Sequence, residues 1–346
     1  MTMLEATRAV VGGIDTHGEA HVAAALDEVG GLLGTESFGA NGPGYEDLVR
    51  WLEGFGTVSK VGVEGTGSYG AGISRFLTRS GIEVVEVDRP NRQTRRRAGK
   101  SDPLDALAAA RAALSGEASG RAKSRDGWVE ALRVLLVAKR SARTARVKAL
   151  TQMRQVVYSA PEELRAKLRG LPISTFVPKC QGLRPSRSVD PVGAATKASL
   201  SSLAHRVSDL EAELEELDAL ITPLVKTNAT TLLAIRGVGI DTAASLLVAA
   251  GDNPERLRSE AAWAHMCGVS PLEASSGKVT RHRFNPGGNR QANSALWHIV
   301  ITRLACDPTT QAYMERRMKE GRSKREVIRV LKRYVAREVF HALPRT

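Results

Sequence analysis

The sequence predicts a mixed α/β sheet domain, then a helical connector and then a mainly α-helical C-terminal domain. Short β-rich segments alternate with helical ones in the first third of the chain, leucines at heptad spacing follow position 200, and the last third is rich in Ala, Leu and Arg. We place the three parts at residues 1–125, 126–228 and 229–346.

The N-terminal domain begins with three strands in series and then alternates between helix and strand. Turn residues at 27–31 (Asp-Glu-Val-Gly-Gly) separate the second strand from the third. We expect strands at 8–15, 20–26, 31–38, 58–63 and 82–87, and helices at 43–53, 69–78 and 102–114. This order is that of an RNase H-like sheet.

Four acids fall at positions where an RNase H-like sheet carries its catalytic residues. Asp15 ends the first strand and Glu64 ends the fourth, while Asp102 and Asp105 stand three residues apart at the start of a helix and share one face. Cleavage of a phosphodiester generates charge on the attacking and leaving oxygens, and two carboxylate-bound Mg²⁺ ions stabilise both. The four acids therefore predict a Mg²⁺ site, with Mn²⁺ as the alternative ion.

Each acid taken alone also has an ordinary structural explanation. Asp15 at a strand end suits a turn, Asp102 before Pro103 suits a helix N-cap, and Glu64 suits a loop. All four acids in this order favour the metal site.

A basic segment lies between the last strand and the Asp102–Asp105 pair. Its cations suit contact with a phosphate backbone, although a solvated loop is the simpler alternative. The predicted nucleic-acid contacts here are Arg92, Arg95, Arg96, Arg97 and Lys100.

The composition points to a polyanionic partner. Fifty Lys and Arg face 37 Asp and Glu in 346 residues, for a net charge of +13, which indicates nucleic acid; a ribosome-associated or merely Arg-rich protein is the alternative. Three scattered cysteines predict neither disulfides nor a zinc site. With no signal-peptide pattern or membrane span in the sequence, we expect a cytoplasmic, nucleoid-associated protein with no membrane partner.

The connector contains a long helix, a proline-rich segment and a heptad repeat. Residues 126–157 predict the helix, and four prolines within 169–195 predict a flexible loop. The heptad predicts a coiled coil between protomers or an antiparallel hairpin with the first helix, and we expect oligomerisation. Its members are Leu203, Val207, Leu210, Leu214, Leu217, Ile221 and Leu224.

Residues 231–250 predict a helix-hairpin-helix in the C-terminal domain. Gly237 and Gly239 would present backbone N–H groups to a phosphate at a helix N-terminus. A purely structural helical hairpin is the alternative.

A polar segment follows at 275–278 (Ser-Ser-Gly-Lys). By physical chemistry alone it is a flexible turn, but a serine among cations also suits a nucleophile acting on a phosphate. The cations that we expect to contact nucleic acid here are Lys278, Arg281, Arg283 and Arg290.

The ordered set of motifs resembles the bridge-RNA-guided insertion-sequence transposases, whose relatives include the pilin-gene invertases. In the N-terminal domain the resemblance lies in residues 13–15, 64–69 and 100–106. In the C-terminal domain it lies in residues 235–239, 268–271, 275–278 and 288–290. It covers nearly the whole chain, except the proline-rich segment.

The resemblance implies a RuvC-like nuclease domain with an Asp-Glu-Asp-Asp tetrad, matched by the four acids above. It implies that Ser276, directly before Gly277, attacks DNA and forms a phosphoserine link; the neighbouring Ser275 keeps that assignment open by one residue. It also implies donor and target DNA, a guide (bridge) RNA that pairs with both, and dimers assembling to a tetramer.

Two other functions remain. A RuvC-like Holliday-junction nuclease would carry the same tetrad and use water instead of Ser276 as the nucleophile. A non-enzymatic DNA- or RNA-binding protein would carry Asp15 and Asp105 as ordinary surface acids.

Overall fold

The computed structural model describes residues 8–87, 101–118, 120–184, 190–254, 257–277, 282–283 and 285–344. The chain forms two compact units. The first contains the described residues up to Gly127 together with those of 251–258, and the second contains Trp128–Ala250 and Ser259–Pro344.

A six-stranded mixed sheet forms the centre of the first unit. Its order is β3-β2-β1-β4-β5-β6; β1 pairs antiparallel with β2 and parallel with β4, and β5 lies parallel to β4. The strands are β1 (Ala9–Thr16), β2 (Ala20–Leu26), β3 (Leu32–Gly39), β4 (Thr57–Glu64), β5 (Glu83–Val87) and β6 (Gly120–Arg121).

Helices contribute to both faces of this sheet. On one face, α1 (Gly42–Glu53) and α2 (Ala71–Arg79) bury Leu52 and Leu77 against Ile14. On the other face lies α3 (Asp102–Ser115), whose Ala113 joins Val11 in a second core. The alternation of side chains along β1 places Asp15 on the α3 face.

The second unit begins with two long helices that pack against each other. In α4 (Trp128–Tyr158) and α7 (Pro191–Asn228), Arg146 binds Glu211 and Lys139 binds Asp218, which sets the helices antiparallel. This is the hairpin within one chain that the sequence offered as the alternative to a coiled coil between protomers. Between them lie α5 (Glu162–Leu168) and α6 (Ile173–Gln181).

The rest of the second unit is helical apart from a short β-hairpin. The helices are α8 (Thr230–Leu233), α9 (Ile240–Ala250), α10 (Glu260–Met266), α11 (Arg290–Cys306), α12 (Pro308–Lys319) and α13 (Lys324–Ala342). Strands β7 (Leu272–Glu273) and β8 (His282–Arg283) pair antiparallel. Helix α11 packs on α9 and α13.

The structure confirms the mixed α/β sheet followed by helices and corrects one part of the connector. Residues 169–195 were expected to form a loop, but α6 lies within them and includes Pro178. Phe176 and Cys180 are buried against α7, and this burial outweighs the cost of a proline inside a helix. No described helix is long and apolar enough to cross a membrane.

Candidate metal centre and serine hairpin

Two of the predicted acids meet at one edge of the sheet. Strands β1 and β4 run parallel, with Ile14 paired to Val63, so Asp15 and Glu64 lie at neighbouring strand ends. The Thr16 hydroxyl donates to the carbonyl oxygen of Glu64 at 2.8 Å and ties the two ends together. Both carboxylates are buried.

Helix α3 brings the other two acids to the same edge. Asp102 and Asp105 occupy its first turn, where the helix dipole stabilises negative charge. The helix reaches the strand because Gly13 has no side chain: a Cβ there would lie 2.1 Å from the backbone nitrogen of Ala110. Asp105 is buried, whereas the side chain of Asp102 is about half exposed.

His17 also belongs to this site, although it was absent from the sequence predictions. Its Nε2 lies 3.1 Å from Oδ2 of Asp15 and 3.6 Å from Oδ1 of Asp102. Side chains two positions apart on a strand point to the same face of the sheet, so His17 lies on the face of Asp15. The pattern Asp-x-His at the end of β1 was therefore the signal that would have identified it.

A second histidine supports the first. His21 is fully buried, stacks on the ring of Tyr45 with centroids 5.7 Å apart, and its Nδ1 accepts from the backbone N–H of His17 at 3.3 Å. Burial lowers the pKa of His21, and the neighbouring His17 lowers it further. The ring is therefore a neutral acceptor that orients the segment carrying His17.

The electrostatics of the site favour a bound cation. Burial raises the pKa of Asp15; His17 opposes this shift, whereas the Asp105 and Asp102 carboxylates add to it. Placing several acids together in a buried site costs free energy unless a cation compensates their charge. A divalent ion would supply that compensation.

The donor set fits a divalent metal. One potential ligand atom from each of Asp15, His17 and Asp102 lies within 4.8 Å of the others. Carboxylate oxygens suit Mg²⁺ and Mn²⁺, and an added imidazole nitrogen shifts preference toward Mn²⁺. These three residues are therefore placed to hold a metal, and the buried carboxylates of Glu64 and Asp105 lie at the same edge of the sheet.

The basic segment predicted beside this site, with Arg92, Arg95, Arg96, Arg97 and Lys100, lies outside the described residues, as do Lys278 and Arg281 of the serine region.

In the second unit, the candidate serines lie on the hairpin formed by β7 and β8. Ser275 and Ser276 are exposed beyond β7, and Gly277 follows in the left-handed conformation with φ 58°. Arg283 on β8 is exposed, as is Arg290 at the start of α11. The serines are thus accessible to a large substrate.

The base of this hairpin is firmly held. A Cβ on Gly288 would lie 2.3 Å from the backbone of Gly268, so the two turns pack backbone to backbone. Asn293 donates from Nδ2 to the carbonyl oxygens of Cys267 and Gly268 at 2.9 and 3.2 Å. Exposed serines therefore extend from a rigid support.

The Gly237–Gly239 turn precedes α9, as expected for the second helix of the predicted pair, but the helix before it, α8, has only four residues. Gly237 has φ 81°, and the Gly239 N–H donates to the Thr242 hydroxyl at 3.0 Å. A phosphate binding to that amide would replace this hydrogen bond. Contact of both glycines with nucleic acid stays a prediction.

Two transposase family models match the chain. Residues 12–160 match a transposase model of IS110 elements with the DEDD signature, and residues 229–315 match the transposase family IS116/IS110/IS902. The first range contains the four acids and His17, and the second contains Ser275 and Ser276.

Proteins of two insertion elements are similar to the chain. A protein of insertion element IS110 from Streptomyces coelicolor is 30% identical over 125 residues, which are 35% of this chain and 31% of that protein. A protein of insertion element IS900 from Mycobacterium paratuberculosis is 23% identical over 196 residues, which are 51% of this chain and 48% of that protein. The match thus spans about a third to a half of each relative.

Proposed function

Since the chain belongs to the IS110 family of insertion-element transposases, we propose that it cuts and rejoins DNA to move such an element. The observation that carries this proposal is the convergence of Asp15, Glu64, Asp102 and Asp105 at one sheet edge. The strand order β3-β2-β1-β4-β5 supports a RuvC-like, RNase H-like nuclease domain.

We propose that the tetrad holds Mg²⁺ or Mn²⁺, with His17 as a neighbouring nitrogen donor. When bound, the metal supplies charge stabilisation to the oxygens of the reacting phosphate. Buried Asp15, Glu64 and Asp105 fix the inner part of the site, and the half-exposed Asp102 lies at its open side. The oriented carboxylates place the phosphate where a nucleophile reaches it.

We propose Ser276 as that nucleophile. Its Oγ forms a bond to phosphorus and loses its proton, and the bond from phosphorus to one DNA oxygen breaks, leaving a phosphoserine link and a free DNA hydroxyl. The hydroxyl of another strand then attacks the link, joins the DNA and restores the serine. Exposure of Ser276 on a hairpin with a rigid base supports this role.

We further propose that an element-encoded bridge RNA selects the donor and target DNA. The net charge of +13 supports a protein that binds a large amount of nucleic acid. If pairing with RNA selects sequence, the protein itself reads mainly backbone and shape, as in other guided systems.

A homo-oligomer, with dimers assembling to a tetramer, is part of the same proposal. The α4–α7 pair buries the heptad residues Val207 and Ile221 within one chain, yet leaves Val134, Val137 and Leu220 exposed. These exposed apolar side chains support contact between protomers through the hairpin.

The test begins with purification of the protein from cells that carry the native flanking DNA, followed by sequencing of the RNA that accompanies it. One discrete RNA encoded beside the gene would define the DNA substrates for a joining assay. We expect Asp105→Asn and Ser276→Ala to abolish joining and Ser275→Ala to retain it. Cleavage without joining, retained in Ser276→Ala and lost in Asp105→Asn, would instead indicate a junction nuclease that uses water, and normal joining by Ser276→Ala would exclude the serine as the nucleophile.

A further inference from the structure

The second unit contains a cavity at the base of the serine hairpin, where four basic residues lie beside apolar ones such as Val269 and Val330. Its volume is about 300 Å³, and its wall includes Ser270 and Pro271 before β7, Arg283 of β8, and Arg329, Lys332 and Arg333 of α13. The three α13 residues are spaced i, i+3 and i+4, so they share one face of the helix.

Lys332 is the cation set into this wall. Only 7% of the residue is exposed, and its Nζ donates to Oδ1 of Asn293 at 2.8 Å. Burial lowers the pKa of Lys332, and the nearby Arg329 lowers it further. No ion pair joins Lys332 to a carboxylate among the residues that the structure describes.

The charge around the cavity is unbalanced. Arg333 is paired with Glu260, whereas Arg283 and Arg329 lie exposed at the cavity. A buried ammonium group that has only an amide oxygen as partner is costly, and an anion beside it would recover that cost. The wall therefore suits an anionic group that enters from the exposed arginine side.

We propose that this cavity holds a backbone phosphate of a nucleic-acid strand, with Lys332 as its innermost contact. The inference rests on the proposed function, since it needs nucleic acid as the ligand. It adds a positioning site beside the serine: a strand fixed at the base of the hairpin extends toward Ser275 and Ser276. Phosphates of DNA and of RNA share the required chemistry.

The purely structural alternative makes Lys332 only a link between α13 and α11. Under that alternative, Lys332→Met and Asn293→Ala both break this link, and Asn293→Ala, which also loses its hydrogen bonds to Cys267 and Gly268, destabilises the protein at least as much. Under our proposal, Lys332→Met also loses a phosphate contact that Asn293→Ala keeps, because the ammonium group remains in the cavity.

The experiment measures binding of labelled duplex DNA, single-stranded DNA and RNA by fluorescence anisotropy over a range of NaCl concentrations. Lys167→Met, at an exposed position of α5 outside the cavity, is the control that removes the same charge. Thermal unfolding shows that each variant is folded, and Lys332→Arg replaces Lys332→Met if the latter fails to fold.

We expect Lys332→Met to weaken binding about ten-fold at low salt. The slope of log affinity against log salt should fall by about 0.9 with duplex DNA or about 0.7 with a single strand. Lys167→Met and Asn293→Ala should change the slope little, and the probe that shows the difference identifies the strand bound. A slope for Lys332→Met equal to that for Lys167→Met with every probe overturns the inference. Failure of the unaltered protein to bind any probe overturns the proposed function itself.

If Lys332→Arg is used instead, its longer guanidinium group keeps the charge but fits the cavity less well. We therefore expect an unchanged slope of log affinity against log salt, and a lower affinity of the protein for the nucleic acid that occupies the cavity. An unchanged affinity for every probe overturns the inference.

Discussion

Replacing Gly13 by Ala tests how helix α3 positions the metal site. The new Cβ would lie 2.1 Å from the backbone nitrogen of Ala110 and 2.3 Å from the backbone oxygen of Ala106. Ordinary contact begins near 3.4 Å, so α3 must retreat by about 1.3 Å (3.4 minus 2.1). Because backbone atoms meet the methyl group, no side chain can move aside to absorb the change.

The retreat carries Asp102 and Asp105 away from Asp15. Overpacking of this kind costs about 1–3 kcal/mol of stability, and displaced ligands weaken metal binding by roughly 10- to 100-fold. We expect titration calorimetry with Mn²⁺ to show this loss. A shift of about 1 Å also suffices for a hundred-fold loss of rate.

Gly12→Ala is the matched control on the opposite face of β1. The three atoms nearest to its Cβ would all belong to side chains, with Val61 Cγ2 at 3.0 Å and Leu52 Cδ1 at 3.1 Å, so α3 stays in place. We expect a loss of stability with unchanged Mn²⁺ affinity. Unaltered Mn²⁺ binding by Gly13→Ala, or an equal loss in both variants, would refute the reasoning.

Three further predictions concern the metal site and the cysteines. His17→Ala should weaken Mn²⁺ binding about ten-fold and Mg²⁺ binding less, because imidazole favours Mn²⁺; calorimetry with each ion measures this, and an equal effect on both would exclude His17 as a ligand. The pKa of Asp15 is raised in the folded protein. The protonated carboxyl group of Asp15 therefore contributes fully to the stability of the fold below the usual carboxyl pKa of 3.8, and this contribution is lost as the pH rises through the raised pKa. Asp15→Asn should therefore stabilise the metal-free protein at neutral pH, an advantage that shrinks as the pH falls; chemical unfolding at several pH values checks it, and no gain at neutral pH would contradict it. In the native protein only Cys306 should react with iodoacetamide, because Cys180 and Cys267 are buried and their pKa values are raised to about 11 and about 12. Mass spectrometry of the labelled peptides measures this. Rapid labelling of Cys267 would contradict it and show that the site around Cys267 opens.

The sheet and its acids could be predicted from sequence because both follow local rules. Short apolar runs separated by turn residues identified the strands, and parallel strands bring their ends to one edge, which placed Asp15 beside Glu64. The close approach of α3 was not predictable, because it depends on what lies over Gly13. His17 was missed because acids alone were considered, although its position after Asp15 places it on the same face.

The connector shows where tertiary contacts decide the outcome. Prolines indicated a loop at 169–195, yet burial of Phe176 against α7 stabilises a helix there. The heptad spacing favoured contact between protomers, with a hairpin inside one chain as the alternative. The ion pairs Lys139–Asp218 and Arg146–Glu211 show that α4 is the partner of α7 within the chain.

The most direct test of the central proposal is to trap the covalent intermediate and map its attachment site. The protein would be incubated with its DNA substrates, its accompanying RNA and Mg²⁺, denatured, digested and examined by mass spectrometry for a nucleotide-bearing peptide. The proposed mechanism predicts a phosphodiester on Ser276, absent from Ser276→Ala and still present in Ser275→Ala. Joined DNA without any serine-linked peptide, or an adduct that persists in Ser276→Ala, would contradict it.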